Sequence, residues 1–166
     1  VYKRQLLFCV SLFVNALGIA FITKAALGTS PITSVTYVLS MFTPFTIGQW
    51  TILLNLLFVI LELFLMTRED LKSDLRMYLL QIPISFSFGM FIDLCMHYIL
   101  FWLNPVEYVY MIVALLIGCV ILAVGIALEV KANAAMMAGE YFVKVITRRF
   151  RGEFGYIKLG FDVTLV

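Results

Sequence analysis

The chain has 166 residues, of which 63% are hydrophobic and 13% charged, with a formal net charge of +2. A soluble domain is roughly 45–50% apolar and about 25% charged, so this balance excludes a soluble enzyme and a nucleic-acid-binding domain. It calls for an all-α polytopic transmembrane helix bundle whose first partner is the lipid bilayer.

A hydrocarbon core of about 30 Å takes about 20 mostly apolar residues to cross as a helix. The first such run, 5–23, follows Lys3 and Arg4, an arrangement shared by signal peptides and first spans. Its length, and the return of similar residues later in the chain, favour a span. The segment 30–42 (SPITSVTYVLSMF) is too short to cross and uncharged, and reads as a half-helix entering the membrane or a helix on its surface. A second span covers 47–66 and is closed by a charged connector, TREDLKSDLR, at 67–76. The third covers 77–103, with Pro83 as its point of bending. After the turn at Asn104-Pro105 a fourth span runs over 109–129, followed by a second short helix, 137–150, carrying Lys144, Arg148 and Arg149. A fifth span begins near Phe154 and stops at Val166, too short to cross alone, so a sixth is expected beyond it. Trp50, Trp102, Tyr108 and Tyr110 sit near span ends, as interfacial anchors do. Ser85 and Gly89, with Ser87 between them, have the small-xxx-small spacing that lets helices approach. Cys9, Cys95 and Cys119 lie singly in apolar stretches and read as packing residues rather than disulfide or zinc partners.

Sliding the chain along itself by 107 residues lays GIAFITKA (18–25) over GIALEVKA (125–132), matching Gly18, Ile19, Ala20, Lys24 and Ala25. The same offset pairs Val38 with Val145, Gly48 with Gly155 and Asn55 with Asp162. Two repeats follow, 1–108 and a truncated 109–166, each with a long helix, a short helix and further spans. Three crossings between equivalent points invert the second repeat. With the N-terminus cytoplasmic, Lys3, Arg4, Arg68, Lys72, Arg76, Lys131, Lys144, Arg148, Arg149 and Arg151 fall inside and only Lys24 outside, as the positive-inside rule requires.

An ionisable group inside a membrane usually faces protein or water and often marks a pathway. Asp162 lies well within the fifth span, with Asn55 at the matching depth in the second, so the two are the first candidates for a solute or ion site at the repeat interface. Hydrogen bonding that merely joins helices is the competing explanation. Lys158 precedes Asp162 by one helical turn and can pair with it. Asp93 and His97 have the same spacing in the third span, a candidate proton relay. Thr29 and Ser30 precede the first short helix, whose free N–H groups can receive an anion, although serine there is also ordinary capping. Glu62 and Glu129, near span ends, are expected to reach headgroup water. HExxH, GxSxG, P-loop and GxGxxG motifs are absent from the sequence, and its His, Cys and carboxylates have no metal spacing. Neither catalytic nor metal residues nor a cofactor are therefore assigned.

The stretches ITKAALGTSPITSVTYVLS (22–40), LLQIPISFSFGMFIDL (79–94) and FGYIKLGFDVTLV (154–166) resemble the bacterial YczE/YyaS/YitT-type integral membrane proteins. The AxLGxSP turn and the FGxFIDL stretch carry the resemblance, which implies a six-helix repeat protein of the bacterial inner membrane. The corresponding second turn, KANAAMMAGE (131–140), departs from the pattern by lacking the Gly-Pro pair. That family is largely uncharacterised, so the resemblance supplies no substrate and no site residues. Two readings stand at this point. One is a transporter of a small solute or ion working by alternating access. The other is a non-transporting scaffold or regulator that docks a protein partner through the basic helix 137–150. A second copy of the chain remains open as a partner under either.

Overall fold

The first element, α1 (Tyr2–Lys24), buries Phe8, Leu12, Asn15, Ala16, Ile19, Ala20 and Thr23, the three-and-four spacing of one helical face. In this computed structural model, which describes residues 2–133 and 136–166, no strand occurs among the described residues. Residues 134 and 135, inside the expected second turn KANAAMMAGE, lie outside the described residues.

After α1 the chain turns through Ala26 at φ 56°. Ser30 caps α2 (Pro31–Phe42), with Pro31 in the first helical turn, where its missing N–H is no loss. Thr46 and Gln49 form a reciprocal capping box at the start of α3 (Ile47–Leu65). Next, α4 runs over Arg68–Leu94 and continues as a π-helical turn, Cys95–Ile99. Apart from Thr67, which precedes the helix, the expected connector 67–76 is therefore helix. Glu69 and Asp70 occupy its first turn and favour the positive end of the helix dipole, so charge here marks a helix start rather than a loop. Helix α5 (Tyr108–Ala132) ends on a left-handed Asn133 at φ 43°, a conformation asparagine tolerates. Helices α6 (Ala138–Phe150) and α7 (Phe154–Leu165) complete the described chain.

Four helical stretches are long and apolar enough to cross a membrane: Tyr2–Lys24, Ile47–Leu65, Arg68–Ile99 and Tyr108–Ala132. The molecule is a helical membrane bundle. Large apolar side chains such as Phe64, Leu116, Val120 and Val130 face outward, as they do where lipid, not water, is the surrounding solvent.

Glycines bring the helices together. A Cβ at Gly18 would lie 2.8 Å from the backbone nitrogen of Leu122, one at Gly118 would lie 2.9 Å from that of Ile22, and one at Gly125 would overlap Asn15. Residues rising along α1 thus meet residues falling along α5, so the two pack antiparallel. The pair α3 and α4 is antiparallel in the same way, with Gly48 against Gly89. Gly89 accordingly has the close-packing role its spacing predicts. Helix α6 seats on α3 through stacked Phe58 and Phe142, 5.3 Å between ring centroids, with Phe161 of α7 at 5.5 and 5.7 Å from the two rings. Helix α2 lies against α3 and α7, and α1 also touches α4.

Candidate functional site

All seven helices contribute to a partly open cavity of about 270 Å³ between them. Its polar lining comes from Asn15 of α1, Ser30 and Thr33 at the start of α2, Thr51 and Asn55 of α3, Glu140 of α6, and Lys158 and Asp162 of α7. Ile19, Phe88, Leu122, Ile126 and Met137 supply an apolar wall.

Each polar group arrives for a local reason. Thr51 and Asn55 belong to the buried stripe of α3 that also includes Gly48, Phe58, Val59 and Glu62. Ser30 holds its place by donating to Thr33 Oγ1 at 2.7 Å and accepting from the Thr33 amide at 3.4 Å. Lys158 and Asp162, one turn apart on α7, pair at 2.9 Å with about 30% of each side chain exposed. The cavity therefore offers a basic group, two acidic groups, neutral hydroxyls and amides, and the N-terminal ends of both short helices, where unpaired N–H groups carry partial positive charge.

Asn15 is fully buried. Its Nδ2 donates to Glu129 Oε2 at 2.9 Å across the α1–α5 interface, while its Oδ1 has no hydrogen-bond partner. That oxygen lies against Gly125 of α5, and a buried polar atom without a partner is costly.

The sequence candidates divide. Asn55, Asp162, Lys158 and Ser30 come together in the cavity wall. Thr29 stands beside them with a buried hydroxyl that has no partner. Asp93 and His97 are elsewhere. Asp93 accepts from Thr46 Oγ1 at 2.6 Å and from the Gly48 amide at 3.0 Å, so it closes the N-terminus of α3 from α4. His97 is exposed and lines a shallow groove together with Asp93, Met90, Leu94 and Tyr98. Glu62 and Glu129, expected to reach headgroup water, do not. They are 0% and 7% exposed, because neighbouring helices cover them.

Asn15, Thr33, Thr51 and Glu140 were not among the sequence candidates. The polar Asn15 inside an apolar run was one available signal. The 107-residue offset was another, since it carries Thr33 onto Glu140 and Thr51 onto Lys158. That relation extends over most of the wall, leaving Pro31 and Phe88 unpaired. Of the lining residues, seven pairs stand 107 positions apart: Asn15 with Leu122, Ile19 with Ile126, Ser30 with Met137, Ile32 with Gly139, Thr33 with Glu140, Thr51 with Lys158, and Asn55 with Asp162. The helix starts obey it too, Pro31 against Ala138 and Ile47 against Phe154.

Among curated proteins and among solved structures, none matches the chain. A family model does match, over residues 2–166, that of DUF6198, a family of unknown function. The chain, a helical bundle with a polar-lined cavity to which all seven helices contribute, thus belongs to DUF6198.

Proposed function

We propose that the chain is a membrane transporter that passes a small polar solute through the central cavity by alternating access between two inverted halves, 1–108 and 109–166. The observation that carries this reading is the pairing of the cavity wall at a constant 107-residue offset. A wall built from equivalent positions of two halves lies on their symmetry axis, where transporters of inverted-repeat design bind solute.

Three further features support it. Helices α1 and α5, the first of each half, run antiparallel. The α3–α6 contact has its counterpart in that between α7 and α2. Both short helices direct their N-termini to the cavity, the arrangement of half-helices that hold polar or ionic groups at mid-membrane. The size of the cavity and its charges of both signs suit a solute of a few heavy atoms with polar groups at either end. The cytoplasmic N-terminus and the bacterial inner membrane, taken from the distribution of Lys and Arg and from the YczE/YyaS/YitT resemblance, belong to the same proposal.

The scaffold reading has less support. Helix α6 buries Ala138, Tyr141, Phe142, Val143 and Val145, and the exposed Arg148 is bonded to Asp74 at 2.7 Å, whereas Arg149 and Arg151 form no ion pair among the described residues.

Phe42 and Arg149 are both exposed and stand 107 apart. After replacement of Cys9, Cys95 and Cys119, single cysteines at these two positions are labelled in intact cells with a membrane-impermeant thiol reagent. The proposal expects position 42 to react from outside and position 149 only after the cells are opened. Reaction of both from the same side would refute the inverted arrangement. The carrier activity itself is tested by screening small polar solutes for a thermal shift and measuring uptake of any that bind into vesicles. Asp162→Asn should abolish that uptake, and unchanged uptake would refute the assigned site.

A further inference from the structure

Outside the central cavity two buried carboxylates keep oxygens without partners, Glu129 through Oε1 alone and Glu62 through both. Glu62, on α3, is 0% exposed, and among the described residues neither of its carboxylate oxygens has a hydrogen-bond partner. Gln81 of α4, itself 1% exposed, lies beside it, and both atoms of its side-chain amide are also without partners. Four polar atoms therefore gather in a dry interface with their bonding capacity unused.

Among the described residues no ion pair reaches Glu62. The titratable groups that face Glu62 are Tyr78 from α4 and Tyr141 from α6. The hydroxyl of Tyr78 donates to the Val59 carbonyl at 3.1 Å and that of Tyr141 to Asp74 Oδ2 at 2.9 Å, so both are turned to other acceptors. Beyond Tyr141, Arg148 is spent on Asp74, with Lys144 nearby, and the second ion pair among the described residues is between Lys158 and Asp162. The rest of the packing is apolar: Phe58, Val59 and Phe142, with Leu65 and Ile146 against them. An ionised carboxylate in such a place, with the neutral Gln81 amide as its neighbouring donor and no cation paired with it among the described residues, is a costly arrangement.

We infer that Glu62 and Gln81 form a binding site for one monovalent cation, H⁺ or Na⁺, between α3, α4 and α6. One carboxylate balances one positive charge. No cluster of three His, Cys, Asp or Glu side chains occurs among the described residues, so the site lacks the ligand set a divalent ion would want. A proton meets all four unused atoms: the neutral acid donates to Gln81 Oε1 while its other oxygen accepts from Gln81 Nε2. A sodium ion would take the three oxygens, Glu62 Oε1 and Oε2 and Gln81 Oε1, as ligands. Glu62 lies two turns beyond Asn55 on the same buried face of α3. Occupancy therefore acts on the helix that carries part of the cavity wall. The site does not itself line that cavity, so it stands whether or not the transport reading does.

The test uses the full chain purified in detergent. Melting temperature is followed from about pH 6 to pH 9, in sodium chloride and in choline chloride at equal ionic strength, for the native chain and for Glu62→Gln. The native chain should melt several degrees higher at pH 6 than at pH 9 in choline. If Na⁺ is the ligand, sodium should restore the loss at pH 9; if only H⁺ binds, sodium and choline should behave alike. In either case Glu62→Gln should flatten the response. Superimposable profiles for the two proteins would overturn the inference.

Should Glu62→Gln not fold, the native chain is treated with dicyclohexylcarbodiimide, which adds to protonated carboxyls in apolar surroundings, and the adduct is located by mass spectrometry. An adduct at Glu62 that falls at least tenfold at pH 9, or on adding sodium, supports the site. No adduct there at pH 6, or one indifferent to both changes, overturns it. Loss of solute uptake in Asp162→Asn with the cation response intact separates the two sites. An intact cation response in a chain that transports nothing would refute the cavity reading alone.

Discussion

Substituting Gly18 by alanine tests the close packing of α1 against α5. In a helix interior alanine is favoured over glycine by about 0.8–1 kcal/mol, so propensity alone predicts a more stable protein. The added methyl, however, would sit 2.8 Å from the backbone nitrogen and 2.9 Å from the Cα of Leu122. Neither atom can rotate aside, and removing the Leu122 side chain would not relieve the contact. Forced overpacking costs about 1–3 kcal/mol, and backbone against backbone belongs in the upper half of that range. The net loss is then about 1–2 kcal/mol. At about 2–4 °C per kcal/mol for a chain of this size, the melting temperature should fall by about 2–8 °C in detergent. Gly160→Ala is the control, since its Cβ would meet nothing within 4 Å and the propensity gain should appear undiminished. Gly139→Ala should fall between them, because its clash, at 2.7 Å, is with the terminal Cδ1 of Ile32, which a rotamer change removes. A Gly18→Ala protein as stable as Gly160→Ala would refute the packing argument.

Asn15→Leu should lower stability by about 1–3 kcal/mol in thermal or denaturant unfolding, because it strips a buried carboxylate, Glu129, of its hydrogen-bond donor. Combining it with Glu129→Met should recover most of that loss, as replacement of both members of a buried polar pair usually does. Asp93→Ala should cost about 1–2 kcal/mol by leaving Thr46 and the Gly48 amide without their acceptor, while leaving any solute binding unchanged. A selective loss of binding would instead return Asp93 to the pathway. Arg148→Gln should lower stability by less than about 1 kcal/mol, since its pair with Asp74 is partly exposed to solvent. A larger drop would mean that the end of α6 is held mainly by this ion pair.

The sequence disclosed the spans because their apolar runs have one reading in a protein this hydrophobic, and the starts of both short helices were visible in their turns. It misplaced 67–76 because charge was equated with a loop, whereas a long helix can project its charged first turns beyond the bilayer. Glu62 and Glu129 were misjudged because depth was counted from the span ends, which ignores what other helices cover. Glu129 meets an asparagine 114 residues earlier in the chain, and no local pattern announces that. The carboxylate of Asp93 looked like a membrane-buried charge on a pathway. Its role as a cap depends on Thr46 and Gly48 arriving from another helix. The polar wall of the cavity was half legible: Asn55, Asp162, Lys158 and Ser30 by depth and spacing, and Thr33, Thr51 and Glu140 only when the 107-residue offset is followed through every position. The resemblance drawn from the AALGTSP turn and FGMFIDL resolves into membership of DUF6198, and the YczE/YyaS/YitT name gains no separate support from it.

The cavity wall matches position for position but not in chemistry. Its three charged side chains, Glu140, Lys158 and Asp162, all come from beyond residue 109, and the positions facing them, Thr33, Thr51 and Asn55, are neutral. Any rotation that exchanges the environments of the two halves would therefore carry every fixed charge of the site with one of them, through the electric field across the membrane. The two orientations could not be equal in energy at a finite membrane potential. On the transport reading, a membrane potential would add a bias toward one orientation, and a solute with a net charge would shift that bias as it bound.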